Sequence, residues 1–249
     1  MKETENKLSP SIIKHIQHLE RVRQDFVANV SHELRTPLTV IHGYLETLIE
    51  KKSEEAQSLQ KIFLQMQKQT FRMESIIEDL LLLSNLENHE EGNENHTVVS
   101  ISTLLANVWS QAKELSGDAK HHILLNMDDN LLLFGCKKEL ESLFSNIIFN
   151  AVRYTPAEGR IIIDWFQKNK KAYFRVSDTG IGVEAKHIPR LTERFYRVDT
   201  GRSRNNGGTG LGLSIAKHIL IRHQATLTIK SELFQGSVFT CTFPTERIK

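Results

Sequence analysis

A histidine followed by a carboxylate, His32-Glu33, lies in the run Phe26-Val27-Ala28-Asn29-Val30-Ser31-His32-Glu33-Leu34-Arg35-Thr36-Pro37-Leu38, and a glycine-rich run, Gly207-Gly208-Thr209-Gly210-Leu211-Gly212, lies far downstream. A neutral imidazole is a nucleophile, and its ordinary pKa of about 6.5 leaves it mostly neutral at pH 7. A neighbouring carboxylate can take the proton that departs as an N–P bond forms. The glycine run opens an expected helix at 210–223, whose free N–H groups suit a triphosphate. Its glycines alternate, which is neither the G-x-G-x-x-G of dinucleotide sites nor the Gly-Lys-Ser/Thr of a P-loop. Together the two runs could move a phosphoryl group from a nucleotide to the chain's own histidine.

Three further stretches could serve a nucleotide. Asn146, Asn150, Arg153 and Tyr154 follow one another on an expected helix, with the first three near one face. Amide oxygens can ligand Mg²⁺, and a guanidinium can hold phosphate. In Ser177-Asp178-Thr179-Gly180-Ile181-Gly182, a carboxylate at a strand end precedes two closely spaced glycines. Asp178 can accept from a base amino group while backbone at Gly180 and Gly182 lies against the ring. Between Arg194 and Arg204 four arginines (194, 197, 202 and 204) face one acid, Asp199, a local charge of four minus one, or +3. By composition alone the first two of these more often mean an ordinary helix flank and a plain turn, and the third reads as readily as a solvated surface loop.

Two helical patterns must position the histidine. Leu19, Val22, Phe26, Val30, Leu34, Leu38, Ile41, Leu45 and Leu48 recur at three and four, and Leu59, Ile62, Met66, Met73, Ile76, Leu80 and Leu83 at three, four or seven. At about 100° per residue, His32 falls opposite the Phe26–Val30–Leu34 stripe, Thr36 lies one turn beyond on the same exposed side, and Glu33 lies between. Pro37 cannot donate to the Glu33 carbonyl, which should bend or loosen the helix there. The turn at 51–54 offers Ser53 as an N-cap. A lone hairpin leaves two apolar stripes bare, so a homodimeric four-helix bundle is expected; the alternative is a hairpin packed on its own chain.

The polar stretch 89–96 marks a boundary. The expected division is an N-terminal signalling helix or linker at 1–22, a dimerisation and histidine phosphotransfer domain at 23–90, a linker at 91–97 and a catalytic ATP-binding domain at 98–249. The last should hold helices near 101–116, 137–154 and 210–223, and strands near 121–127, 131–134, 159–167, 171–178, 225–231 and 236–243. That mixture predicts an α+β sandwich with helices on one face of a sheet.

The 249 residues include 39% apolar and 25% charged ones, with 32 Lys plus Arg against 30 Asp plus Glu. A net charge of +2 argues against a nucleic-acid binder. Cys136 and Cys241 lack metal-ligand spacing and read as plain thiols of a reducing compartment. No run approaches a membrane span, so the region is expected to be cytoplasmic, which leaves room for a membrane anchor upstream.

The run Phe26–Leu38 closely resembles the phosphoacceptor box of bacterial sensor histidine kinases. The four downstream stretches stand in the order and spacing of the ATP-binding (GHKL, or Bergerat) fold shared by these kinases, gyrase-type topoisomerases and Hsp90-type chaperones. The resemblance covers residues 20 to 243. It implies that His32 is phosphorylated, that Glu33 is its acid/base partner, and that Thr36 positions water when the protein dephosphorylates its partner. It also implies ATP and Mg²⁺, with Asn150 as metal ligand and Asn146 nearby, Asp178 reading adenine, and Gly180 and Gly182 lining the base pocket. Arg153, Arg197 and the run Gly208, Thr209, Gly210, Leu211, Gly212 would face the phosphates. The ATPase relatives carry a water-activating glutamate where this chain has Asn146, an amide that cannot act as a base. The segment Ile188–Asp199 with Arg202-Ser203-Arg204 is similar to the phosphate-starvation branch of the family, although Asp178-Thr179-Gly180-Ile181 and Arg153 depart from common usage. The implied partners are a second copy of the chain and a response-regulator receiver domain (PhoB-like). Two rival readings are a nucleotide-gated ATPase clamp and a dimerisation module without kinase activity.

Overall fold

A computed structural model describes residues 30, 31, 33–46, 48, 56–88, 96–198 and 209–249. His32, Phe26, the upstream helix, the turn with Ser53, most of the 89–96 stretch, Asp199, Arg202, Arg204 and Gly208 lie outside the described residues. The chain divides into two compact units, Met1–Glu78 and Asp79–Lys249. No helix among the described residues is long and apolar enough to cross a membrane.

In the first unit, helix α1 is described over residues 33–46, and α2 spans Ala56–Asn88, its part from Asp79 onward belonging to the second unit. Residues 33–46 stay helical through Pro37, which is buried, and the Thr39 hydroxyl donates to the Arg35 carbonyl at 2.9 Å. Ile76 is fully buried, yet Leu38, Leu45, Phe63, Leu64, Phe71 and Ile77 are exposed. Leu59, Phe63 and Leu64 line an apolar groove of about 400 Å³. Such a run of bare apolar side chains at helical spacing is what a partner helix covers.

The second unit follows the expected alternation of patterns. Its elements are β1 (Thr97–Ser100), α3 (Ile101–Ser116), β2 (His122–Met127), β3 (Leu132–Gly135), α4 (Lys137–Tyr154), β4 (Arg160–Lys168), β5 (Lys171–Asp178), α5 (Gly212–Arg222), β6 (Thr226–Glu232) and β7 (Gly236–Phe243). Helices α3 and α4 begin and end where periodicity places them. Helix α5 starts at Gly212 rather than at 210, because Gly210 has φ +75°, outside the right-handed helical region. Strand β1 and the short 3₁₀ turns at Gly117–Ala119, Ile188–Arg190 and Thr245–Arg247 were not expected.

Among the described residues one sheet has the order β2-β4-β5-β7-β6 and a second, two-stranded one pairs β1 with β3. The larger sheet is mixed: β2 runs parallel to β4, and the other neighbours are antiparallel. A two-residue turn joins β4 to β5, with Asn169 and Lys170 both at positive φ, as the twist of a tight hairpin demands. Strict alternation buries Ile161, Ile163 and Trp165 on β4, Ala172, Phe174 and Val176 on β5, and Phe239, Cys241 and Phe243 on β7. Helix α4 lays Leu140, Leu143, Phe144, Ile147, Ile148 and Ala151 against this face. Phe144, Phe174, Trp165 and Phe243 form a chain of ring contacts at centroid separations of 4.6 to 6.5 Å. The Trp165 indole N–H is satisfied by the Leu131 carbonyl at 3.2 Å. Helices α3 and α5 flank α4, and the polar side chains of α4 and the start of α5 are thereby held at one edge of the layer.

Candidate functional site

Helix α4 presents its apolar stripe to the sheet, which turns Asn146, Asn150 and Arg153 to its half-buried margin. The Asn146 amide is oriented by its own helix: Nδ2 donates to the Ser142 carbonyl at 2.9 Å. That leaves Oδ1 facing Gly212 at the start of α5, where an added Cβ would meet it at 2.3 Å. A side chain at position 212 would require the Asn146 amide to move. The neighbouring helix supplies backbone N–H groups in its first turn, with intrahelical bonding taken up when Ile215 donates to the Leu211 carbonyl at 2.9 Å. Leu211 is fully buried and anchors this turn.

Thr209 caps the approach to α5. Its hydroxyl accepts from the Leu211 N–H at 3.2 Å and donates to the Asp79 carboxylate at 3.1 Å. Asp79 also lies close enough to Arg153 to act on its charge. Burial is the main influence lowering the Arg153 pKa; Tyr154 and Asp79 oppose it, and Arg197 reinforces it. Two guanidiniums that feel one another, beside a helix N-terminus, form a field that an anion relieves.

Asp178 ends β5 beside the β6–β7 connection. One of its oxygens, Oδ1, accepts from the Gly180 N–H at 2.8 Å and the Ser237 N–H at 3.3 Å. Both bonds draw on the same oxygen, Oδ1. Burial pushes the Asp178 carboxyl pKa up, and the two backbone N–H bonds act against that rise. The glycines here are steric necessities. A Cβ at Gly180 would come within 2.6 Å of the Tyr154 carbonyl, and one at Gly182 (φ +63°) within 1.9 Å of the Glu232 carbonyl. Gly236 (φ +97°) packs equally tightly on the Asp178 carbonyl, a constraint that only the tertiary contact reveals. The Tyr154 carbonyl accepts from the Ile181 N–H at 3.1 Å, which ties the end of α4 to this turn.

The expected residues around the nucleotide stretch thus gather at one edge of the second unit, along α4, the β5 end and the start of α5. Three contributors were missed. Asp79 and Glu87 come from the last turns of α2, where Glu87 accepts from Arg194 and lies 3.4 Å from His218 Nε2. Ser237 supplies a backbone N–H that carries no sequence signal. In the first unit Glu33 is half-buried and accepts from Arg72 Nη2 at 3.0 Å, so its carboxylate is held by α2; Thr36 is exposed. Arg72 could not be foreseen, since the two residues are far apart along the chain.

Elsewhere in the second unit His96, Glu139 and His223 bring ligand-type atoms within 4.8 Å of one another. His223 Nε2 accepts from the Cys136 N–H at 3.1 Å and Nδ1 donates to the Ile219 carbonyl at 2.8 Å, so both of its nitrogens are engaged. Arg247 donates to His96 Nδ1 at 2.8 Å, and Arg222 lies 3.4 Å from Glu139. Two guanidiniums already supply the positive charge here, and the group reads as a polar staple rather than a cation site.

Two protein families match the chain. Residues 22–89 match the His Kinase A (phospho-acceptor) domain family and residues 135–247 the histidine kinase-, DNA gyrase B- and HSP90-like ATPase family. The phosphate regulon sensor protein PhoR of Pseudomonas aeruginosa is 51% identical over 231 residues, which is 93% of this chain and 52% of that protein. PhoR of Haemophilus influenzae is 37% identical across 91% of this chain and 52% of its own length. The chain spans about half the length of these curated relatives. In fold it resembles the Acinetobacter baumannii histidine kinase AdeS, with a TM-score of 0.70 at 22% identity over 87% of this chain and 98% of that one. The histidine kinase ThkA, solved in complex with the response regulator protein TrrA, has a TM-score of 0.69 at 19% identity over 96% of this chain and 68% of that one. With both domain families matched in order, the chain belongs to the sensor histidine kinases.

Proposed function

We propose that the chain is the kinase core of a PhoR-like sensor. It autophosphorylates His32 from ATP and passes the phosphoryl group to an aspartate of a response-regulator receiver domain in phosphate-starvation signalling. The observation that carries this reading is the edge at which Asp178, Asn146, Arg153 and the Thr209–Gly212 turn converge, in a chain that also bears a phosphoacceptor box.

Each residue then has a role. Asp178 Oδ2 accepts from the adenine amino group, with the backbone at Gly180 and Gly182 against the ring. Arg153, Arg197 and the N–H groups from Gly208 to Gly212 hold the phosphates, with Tyr154 at the margin. The side-chain oxygen of Asn150 is a hard donor that would hold Mg²⁺, with Asn146 nearby. The ion, held chiefly by Asn150, would neutralise charge on the transferring phosphate. His32 attacks the γ-phosphorus in line as the bond to the β,γ-bridging oxygen breaks and ADP departs, and Glu33 takes the imidazole proton. At position 146 an amide replaces a base, which favours transfer over hydrolysis. Thr36 positions water for dephosphorylation of the regulator.

The domain limits we adopt are 1–22, 23–90, 91–97 and 98–249. The exposed apolar residues of the first unit support a homodimeric bundle, and ThkA in complex with TrrA supports a receiver domain as partner. Membrane anchoring of the whole protein on its cytoplasmic face is part of the same proposal.

Incubation with γ-labelled ATP tests the reading. The unaltered chain should acquire an acid-labile, alkali-stable label that moves to a receiver domain, and His32→Gln should acquire none. Label on the His32→Gln chain, or steady phosphate release without protein label, would refute it.

A further inference from the structure

The segment preceding the basic loop holds a tightly built contact to which the proposed roles give no part. His187 Nδ1 and the Tyr196 hydroxyl are 2.6 Å apart. The Arg190 guanidinium lies 4.2 Å from the centroid of the Tyr196 ring, and Arg190 Nε donates to Glu193 at 3.1 Å. One phenol is thus held at its tip and across its face by residues of the turn at 187–193. None of these side chains belongs to the apolar core.

The residue just before this phenol is strained. Phe195 has φ +59°, in the left-handed region that bulky side chains rarely adopt. In that conformation its N–H donates to the Gly210 carbonyl at 3.0 Å. Gly210 itself has φ +75°, and a Cβ there would lie 2.8 Å from the Phe195 Cα. Phe195 and Gly210 therefore meet backbone to backbone, two residues before α5 begins. Tyr196 is the first residue after the strained peptide, and Arg197 follows it.

We propose that His187 and Tyr196 are positioning residues for the nucleoside triphosphate. Their hydrogen bond keeps Tyr196 seated, which holds Phe195 left-handed and keeps the Phe195–Gly210 clasp closed. The clasp in turn sets the first turn of α5 and the backbone carrying Arg197. This inference rests on the reading that the triphosphate binds at that turn. Both residues act through the backbone and touch no reacting atom.

Three variants of the chain test it by MgATP-dependent autophosphorylation and by titration with a fluorescent ATP analogue. Tyr196→Phe removes only the hydroxyl and keeps the ring under Arg190. His187→Ala removes the partner, and His187→Asn places an amide oxygen close to where Nδ1 stood. Tyr196→Phe and His187→Ala should raise the KM for ATP about five- to tenfold, the worth of one hydrogen bond. Their maximal rate should stay within about twofold, and His187→Asn should recover most of the affinity. Unchanged KM in both variants, or losses that follow thermal stability and are not recovered by asparagine, would overturn the positioning role. Failure of the unaltered chain to bind the analogue would overturn this inference together with the nucleotide reading. Binding by the unaltered chain with indifferent variants would overturn this inference alone.

Discussion

Asp178 shows how much a single residue owes to its surroundings. Its carboxylate is half enclosed and bonded through one oxygen to two backbone N–H groups, and we propose that the other oxygen receives the adenine amino group. Replacement by asparagine keeps the shape but removes the charge, and the amide can turn a donor toward the base. A hydrogen bond to a charged group is worth about 1.5–3 kcal/mol, so Asp178→Asn should weaken ATP binding at least about tenfold. Calorimetric titration with a non-hydrolysable analogue checks this; wild-type affinity would show that the base lies elsewhere. Asn150→Ala should abolish labelling while leaving thermal unfolding of the ATPase unit in place, measured by circular dichroism, since Asn150 lies on the half-buried margin of α4.

At the scale of elements, α4 connects core and chemistry. Its buried stripe packs on β4 and β5, and its other margin carries the asparagines and Arg153. Phe144 is fully buried and packs tilted against Phe174, with ring centroids 4.6 Å apart. Phe144→Ala should destabilise the unit by about 3–5 kcal/mol, read from the guanidinium midpoint, and weaken nucleotide binding only as the fold is lost. The last turns of α2 act differently. Asp79 brings negative charge to Thr209 and Arg153, where the triphosphate is proposed to sit. Removing one such charge in a partly solvated site is worth about 1 kcal/mol. Asp79→Asn should therefore tighten ATP binding a few-fold at low salt, and the gain should shrink as salt screens it. Weaker binding in that variant would mean that Asp79 organises the turn rather than competing with the ligand.

Across the second unit as a whole, a buried polar staple should make stability depend on acid pH. His223 is almost fully buried, and its pKa is lowered to about 4, mainly by burial, with the Ile219 carbonyl opposing and His96, Arg247 and Arg222 adding to the fall. Burial is likewise the main cause of the lowered His96 pKa, with Arg247 and Arg222 contributing. The unfolded chain protonates these rings near pH 6.5, the folded one only at lower pH. Unfolding thus takes up protons between those limits, and stability falls as pH drops from about 6.5 toward 4. For His223 alone the slope reaches about 1.4 kcal/mol per pH unit. Urea midpoints at pH 7.5, 6 and 5 should fall in step, and His223→Gln should flatten the dependence even if it lowers the midpoint at every pH. A flat profile in the unaltered chain would show that the rings titrate normally.

Residue chemistry and local periodicity were readable along the chain. Helices α3 and α4 have the limits that spacing assigns them, strands β5 and β7 likewise, and Asp178, Asn146 and Gly212 announce themselves through motif and turn chemistry. These features depend on neighbours within a few residues, where side-chain period and backbone freedom act directly. Strand partnership was not readable in this way. Strands β2 and β3 follow one another closely along the chain, yet β2 joins β4 in parallel and β3 pairs with β1. Glu33 finds Arg72, Thr209 finds Asp79, and Asp178 takes a bond from Ser237. Such contacts join residues tens to more than a hundred positions apart. Apolar burial drives them without directional preference, so local pattern shows which side chains are hidden, and only the packed molecule decides what meets them.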